Sequence, residues 1–576
     1  MSGFTAPTID WGALSPVVIV LGAAIIGVLV EAFVPARARR TVQLGLALLA
    51  TAGALVAVAL LWSGVKDTGG TTVLGGSLLV DGPTLVLWGT IALLALVSLL
   101  IIADRTETGE DAFAPNAAAV PGSDYEEVAR RQGVRQTEIY PLVLFATGGM
   151  MIFPAAGDLL TLFVALEVLS LPLYLLAGMA RRRRLLSQEA SMKYFLLGAF
   201  ASALFLFGIA LIYGYSGSLR YSDIATATGT PNGMESMLLV GSILILSGLL
   251  FKVGAVPFHT WTPDVYQGAP TPITGFMGAC TKIAAFGALL RIVYTVFPNL
   301  QWDLGAFLWT VAILTMVVGT VAAMVQSDMK RVLAYSSIAH SGFILTGIIA
   351  LNQAGITAVL FYLLVYGAAT VGAFGIVWLV RERTSQSADG SRGPILGEAT
   401  HLSQWAGLGR TNPVLAVTFA LFLLSFAGIP LTAGFIGKFG VFSAAVDAGA
   451  WQLALIGVLA SSAAAFFYVR IIVLMFFTSA AGSDGVPDGT DVYAPPGAGI
   501  PVVPVVHGVP VGAGDTALVV ETVTATEARS TISTTVVRTE GLAVAAIAIC
   551  ALLTIVLGVA PSGVIEAIQG VASFLP

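Results

Sequence analysis

Glu167, Lys252, Lys282, His340 and Lys438 each interrupt a different long apolar run, the setting in which an ionisable side chain is most costly. Glu167 sits in Phe163-Val-Ala-Leu-Glu-Val-Leu169, and Lys252 in Leu249-Leu-Phe-Lys-Val-Gly254. A charge at the centre of a bilayer costs at least about 2.5–3.5 kcal/mol, so five of them oppose insertion by more than about 10 kcal/mol unless they are paired or hydrated. They must therefore face the interior of a bundle. Three lysines and a histidine share one central carboxylate, which is too few acids for simple neutralisation. A lysine taken out of water holds its proton less firmly, and a nearby carboxylate restores the hold. A lysine whose neighbours move can load and release a proton, and this is the physical content of a proton relay. The plainer alternative is that Glu167 and Lys252 form a structural salt bridge between two helices. Lys193, beside Glu189 near the end of its run, reads as half structural. Arg291 and Arg470 lie near run ends, where they are expected to snorkel or bind lipid. Asp158 is expected to cap a helix.

Two of the runs are broken beside a lysine. Val253-Gly-Ala-Val-Pro-Phe-His259 follows Lys252, and Ala427-Gly-Ile-Pro-Leu-Thr-Ala-Gly434 precedes Lys438. Proline removes a helical hydrogen bond and clashes with the turn before it. Unwound backbone at membrane depth is tolerated only where it lines protein or water. Ordinary proline kinks are the alternative, but here two kinks coincide with two lysines.

The runs themselves set the architecture. The chain has 576 residues, 57% hydrophobic and 10% charged, and its mean hydropathy is +0.91. A soluble domain carries about 25% charged residues. Runs of this length cross a ~30 Å hydrocarbon core as helices. Fourteen spans are expected, at 13–34, 42–62, 84–103, 138–154, 158–180, 190–214, 237–264, 272–297, 305–326, 330–350, 353–380, 413–443, 450–477 and 541–570. With both termini outside, nineteen loop lysines and arginines fall in cytoplasmic loops and two, Lys66 and Arg220, outside. The broken spans are the seventh and the twelfth, five apart and so oppositely directed. The expected fold is an all-α polytopic membrane protein with two inverted five-helix repeats, each with a broken helix.

This divides the chain into an N-terminal three-helix segment with a loop (1–137), a first repeat (138–297), a second (298–478), an insertion (479–540) and a final span (541–576). The insertion is rich in Gly, Pro, Val and Thr. Pro501, Pro504 and Pro510 exclude a helix there, while Thr516–Val537 could form a hairpin or stay disordered. The run Ala13–Val34 lacks a basic leader and a small-residue cleavage site, so it is expected to be retained as a helix. Cys280 and Cys550 lie in apolar runs and are too few for an iron–sulfur or zinc site. No phosphate-binding or dinucleotide-binding glycine pattern occurs, and no nucleic-acid partner is expected.

At these residues the chain resembles the antiporter-like membrane subunits of respiratory complex I and of multisubunit cation/proton antiporters. The resemblance is carried by Phe251-Lys-Val-Gly-Ala-Val-Pro-Phe-His-Thr-Trp-Thr-Pro-Asp-Val-Tyr-Gln-Gly-Ala-Pro-Thr-Pro272 with Lys282, and by Asp328-Met-Lys-Arg-Val-Leu-Ala-Tyr-Ser-Ser-Ile-Ala-His-Ser-Gly342. It covers about residues 130–480. Gly157–Tyr174 and Gly428–Phe439, the latter with a lysine at 438, place it closer to the complex I branch.

The resemblance implies a proton-translocating subunit driven by quinone reduction elsewhere in the complex, in a bacterial inner membrane. Glu167 and Lys252 would be a modulating ion pair, Lys282 the central relay and Lys438 the exit-side donor. His259 and His340 would connect or gate the path, with Lys193 a further candidate. The chain itself would bind no cofactor or metal. NADH, FMN, iron–sulfur clusters and quinone would belong to the whole translocase, and the partners would be adjacent antiporter-like and small membrane subunits. A sodium/proton antiporter subunit is the nearest alternative, although sodium needs an oxygen-rich cage and lysines on the axis oppose one. A purely structural membrane subunit is the second.

Overall fold

The computed structural model describes residues 9–107, 109–114, 128, 136–230, 233–384, 395–478 and 532–575. Twelve of the described helices are long and apolar enough to cross a membrane. Two shorter apolar helices, Ile139–Ala155 and Pro413–Ala427, stand at the places of the fourth and twelfth expected spans. The bundle opens with α1 (Trp11–Phe33), α2 (Ala36–Thr68) and α3 (Gly82–Ala103). Next come α4 (Ile139–Ala155), α5 (Leu159–Ala177), α6 (Arg184–Ser216), a short α7 (Tyr221–Thr228) and α8 (Glu235–Val253). After α9 (Trp261–Gly268) follow α10 (Thr271–Val296), α11 (Pro298–Met324), α12 (Met329–Ile349) and α13 (Gln353–Leu379). The bundle is completed by α14 (Pro413–Ala427), α15 (Ala433–Asp447), α16 (Trp451–Phe477) and α17 (Leu542–Val559).

Helix starts follow the sequence. A helix leaves its first amides without partners, and a side-chain oxygen at the cap satisfies one. Asp10, Asp81, Asp158, Asp328 and Asn352 each accept an amide three residues on, as Asp158 does from Thr161 at 2.7 Å. The predicted cap at Asp158 is therefore present.

Burial sorts the helices into a wall and an axis. The most apolar stretches of α2 and α6 are only 33% buried, and Leu60 and Phe200 point outward from them toward the surface that hydrocarbon covers. Those of α10, α12 and α13 are 100%, 89% and 94% buried. Lys282 and His340 thus stand on helices enclosed by other helices.

Both predicted breaks exist, and their backbones match. α8 ends in Gly254 (φ 75°) and α14 in Gly428 (φ 79°), both left-handed, a conformation that glycine adopts without a Cβ clash. Gly254 N–H donates to Leu250 and Phe251, and Gly428 N–H to Leu424 and Ser425. The next amides, Ala255 and Ile429, return to Leu250 and Leu424 at 2.9 and 3.1 Å. The same closing motif thus ends both half-helices. Val256–Pro257 is a cis peptide.

Several expectations need correction at the ends of the bundle. The final span is shorter than 541–570: α17 stops at Val559, and α18 (Ser562–Gln569) follows Pro561, which cannot continue the helix. Of the proposed Thr516–Val537 hairpin, residues 516–531 lie outside the described ones. The remainder forms β5 (Ile532–Val536), which pairs with β3 (Val380–Thr384), which in turn pairs with β4 (Ile395–Glu398). The tail of the insertion is thereby part of a sheet over the arginine-rich end. At the opposite end β1 (Gly70–Val73) and β2 (Leu78–Asp81) form a small antiparallel pair.

Candidate functional site

Each central lysine is lodged on oxygens rather than on a carboxylate. Lys252, 2% exposed, donates to Ser170 Oγ at 2.7 Å and to Tyr194 OH at 3.3 Å, and lies 5.1 Å from the Tyr194 ring centroid. The expected Glu167–Lys252 ion pair is not closed: among the described ion pairs none joins them. Glu167 is half-buried one turn before Ser170, and its Oε1 is buried without a hydrogen-bond partner. Ser170 occupies the place beside the ammonium that the sequence reading gave to the carboxylate. A serine spaced three residues from a central glutamate lies on the same helical face, which is the signal that reading passed over.

Lys282 follows one wider, π-helical turn of α10, Met277–Thr281. Such turns recur at functional sites because they re-aim one side chain. Its Nζ donates to the Ser337 carbonyl at 2.5 Å and to Ser341 Oγ at 2.8 Å. Ser341 in turn contacts the Val253 carbonyl at 2.9 Å, at the last residue of α8 before the break. One serine therefore touches both the central lysine and the broken helix that carries Lys252.

His340 lies beyond that serine pair, fully enclosed. Nδ1 is 2.8 Å from Tyr362 OH and Nε2 is 3.3 Å from Tyr468 OH. The Tyr366 ring lies 5.0 Å from the imidazole and 5.9 Å from Lys282 Nζ, and Phe426 packs 5.4 Å from the imidazole on its other side. The Phe426 carbonyl is the acceptor of Lys438 Nζ at 2.7 Å. Lys438 also donates to Ala427 O at 3.1 Å and Ser461 Oγ at 2.7 Å, so it sits on the carbonyl end of α14. Cations are favoured at a helix C-terminus by the unpaired carbonyls there. Lys282 and Lys438 thus flank His340, the one across the Tyr366 ring and the other across Phe426.

The other candidates sit apart from it. His259, in the unwound segment, is half-buried with Nδ1 unpartnered. Lys193 is 42% exposed and bridges Glu189 at 2.6 Å and Asp264 at 2.7 Å, while Arg331 holds Asp264 from the far side at 2.8 Å. Arg470 reaches the Met324 carbonyl at 3.3 Å from an exposed position. Cys280 and Cys550 are buried free thiols.

Two buried ion pairs went unread in the sequence. Arg291 does not snorkel: its side chain is 1% exposed and grips Asp81 through two bonds of 2.8 Å. Its other donors reach Pro154 O and Thr84 Oγ1, both at 2.7 Å. The partners are 210 residues apart, and only the fold brings them together. Lys330, one of the nineteen bases expected in cytoplasmic loops, is 2% exposed on α12; it donates to Ala269 O at 2.9 Å and pairs with Glu398 at 3.5 Å. Thr271, at the first turn of α10, donates to Glu398 at 2.6 Å. Burial pushes the Glu398 carboxyl up, but Lys330 and Arg381 more than offset this and hold it below its usual range. Glu398, Lys330, Arg381 and Asp111 line a cleft at the arginine-rich end.

A multi-pass helix bundle with two broken helices and a chain of enclosed lysines defines a class of membrane protein: one that moves or is governed by protons in its interior. Residues 156–463 match the family described as NADH:quinone oxidoreductase/Mrp antiporter, transmembrane, and the chain belongs to it. NADH-quinone oxidoreductase subunit N of Beutenbergia cavernae is 59% identical over 579 residues, covering 99% of each chain. A chain of respiratory complex I from Thermus thermophilus superposes with a TM-score of 0.69 at 30% identity, covering 96% of this chain and 100% of that one. A chain of the Mrp complex from Dietzia sp. DQ12-45-1b, 22% identical with a TM-score of 0.71 over 97% of both chains, shares the fold.

Proposed function

We propose that this chain is the N-type membrane subunit of NADH:quinone oxidoreductase, moving protons outward along its lysine axis, coupled to quinone reduction in other subunits. The observation that carries the reading is the trio Lys252, Lys282 and Lys438, no more than 4% exposed and each bound to hydroxyls or carbonyls instead of an acid. A permanently charged ammonium is poorly served by such a nest, whereas one that alternates between charged and neutral uses it in both states. Lys282 is the central relay, Lys438 the exit-side donor and His340 the connection between them. Glu167 acts on Lys252 by approaching it, since the pair is open. His259 serves as a gating group in the unwound segment, and Lys193 holds α6 to α9.

The arginine-rich end faces the cytoplasm and both termini lie outside, on the strength of the eighteen-to-two distribution of loop bases that remains once the buried Lys330 is set aside. The two repeats run over 138–297 and 298–478, related through the matching closures at Gly254 and Gly428. NADH, FMN, iron–sulfur clusters and quinone belong to the whole complex. Each proton works against ~2.3 kcal/mol per 100 mV, so energy reaches this chain through adjacent antiporter-like and small membrane subunits.

A sodium/proton antiporter role is disfavoured because ammonium groups occupy the axis where sodium needs oxygens. The test is proton uptake and NADH–quinone turnover in vesicles carrying the assembled complex with Lys282→Ala. Both should collapse. Full proton uptake, or co-purification of antiporter subunits in place of redox subunits, would overturn the reading.

A further inference from the structure

His340 is held in an unusual manner for a buried structural histidine. Such a residue commonly ties one ring nitrogen to a carbonyl or carboxylate, which can only accept and so locks the tautomer. Here both nitrogens face hydroxyls, Tyr362 OH at 2.8 Å and Tyr468 OH at 3.3 Å, and a hydroxyl can donate or accept. The line does not stop at the ring. Tyr468 OH continues to Ser336 Oγ in a short hydrogen bond. All four side chains are no more than 2% exposed.

The placement of the two ends is informative. Ser336 adjoins Ser337, whose carbonyl accepts from Lys282. Tyr362 packs against Gly437, next to Lys438, so closely that a Cβ on the glycine would lie 3.0 Å from the ring. Tyr362 lies on α13, Tyr468 on α16, and Ser336 and His340 on α12. The hydroxyl–imidazole line thus runs over three helices, with its Ser336 end on the residue beside the acceptor of Lys282 and its Tyr362 end on a residue whose ring packs beside Lys438. Satisfying a lone imidazole would need neither Ser336 nor a second reversible partner.

We propose that Tyr468 and Tyr362 are proton-conducting groups on either side of His340, forming with Ser336 a reversible wire between the surroundings of Lys282 and those of Lys438. The inference rests on the proton-translocating reading above. In each transfer Ser336 gives its hydroxyl proton to Tyr468 as Tyr468 gives its own to His340 Nε2. The imidazole releases its Nδ1 proton to Tyr362, whose own hydroxyl proton passes on to Lys438, the acceptor as a neutral amine. Ser336 is reprotonated from the Lys282 side. Lys282 is left as a neutral amine, every oxygen regains the proton it lost, no tyrosinate is left behind, and the ring, left as its other tautomer, returns to the first as the hydroxyls reorient before the next transfer.

Tyr468→Phe and Tyr362→Phe remove one hydroxyl each and keep the rings that pack on Phe426 and on Gly437. Ser336→Ala cuts the wire without touching the imidazole. In vesicles carrying the assembled complex, each should lower coupled proton uptake on the order of a hundredfold, the low end of what a positioned proton-transfer group contributes. The solvent deuterium isotope effect on turnover should rise, which a packing defect would not produce. Lys282→Ala serves as the reference. If the three hydroxyl variants pump normally with an unchanged isotope effect while Lys282→Ala does not pump, the wire is wrong and the function stands. If Lys282→Ala also pumps normally, the reading beneath the wire falls with it.

Discussion

Lys438 Nζ donates to the Phe426 carbonyl at 2.7 Å, across a helix break that lies between the two residues in the chain. The lysine belongs to α15, yet it is bound to the end of α14, with Ser461 of α16 as a third anchor. Any motion that opens the break moves the partners of the ammonium. The unwound segment Gly428–Thr432 is thus coupled mechanically to the group that has to let its proton go.

Lys438→Arg separates a relay from a brace. Arginine keeps the charge and can reach the same carbonyls, but it does not release a proton, because its pKa exceeds ~12. Coupled turnover and proton uptake should fall about as far with Arg as with Ala, by roughly a hundredfold. Full activity of Lys438→Arg in vesicles would remove the residue from the path.

Glu167→Gln should leave the fold unchanged, because the carboxylate makes no ion pair with Lys252 and Ser170 already holds the ammonium. Thermal stability of the complex should shift little, within ~1 kcal/mol. Pumping should fall nonetheless, since an amide cannot restore the lysine's hold on its proton as a carboxylate does on approach. Unchanged pumping between pH 6 and 8 would make the glutamate a bystander.

Arg291→Ala should be the most damaging single change for assembly. It strands Asp81, itself 0% exposed, as an uncompensated buried charge, at a cost of about 3–5 kcal/mol. Leu575 N–H also donates to Asp81, at 3.0 Å, so the last described residues should loosen with it. Arg291→Met combined with Asp81→Leu should recover much of the loss, which melting of the purified complex would register. A double variant as unstable as the single would show that the pair itself, not the stranded charge, holds the site.

The Glu398 carboxyl gives a pH signature. Because its folded-state pKa lies below the unfolded value of about 4.3, its contribution to stability is complete above that value and is lost as pH falls through the folded pKa. The gap in melting temperature between the native chain and Glu398→Gln should therefore be flat from pH 7 down to about pH 5 and narrow below about pH 4. A gap that widens on acidification would mean that the carboxyl is destabilising where it stands.

Deletions divide the 479–540 segment. Removing 485–525 should leave pumping nearly intact, because its many prolines and glycines give it little chance of packing into the bundle as a helix. Removing 532–540 should not be tolerated, because Ile532–Val536 completes the sheet with Val380–Thr384 and Glu540 pairs with Arg40 at 2.9 Å. Assembly of both deletants on native gels would decide this, and loss of pumping by an assembled 485–525 deletant would assign that stretch a mechanistic role.

What was legible in the sequence was what local chemistry dictates. Hydropathy marks the spans because lipid leaves a backbone no partner but itself. Gly254 and Gly428 announced the breaks because the left-handed closure there favours glycine. Asp158 announced a helix start because an orphan amide needs an acceptor. Lys252, Lys282, His340 and Lys438 announced themselves by standing where charge is costly. What sequence could not supply was partnership across the bundle, since nothing in a run of residues says which faces will meet. The fold put Ser170, not Glu167, against Lys252, and set Asp81 against an arginine 210 positions away. It also set two tyrosines from separate helices around one imidazole. Serine and tyrosine are ordinary in membrane helices, and only the close packing of three helices at one depth turns their hydroxyls into a connected line.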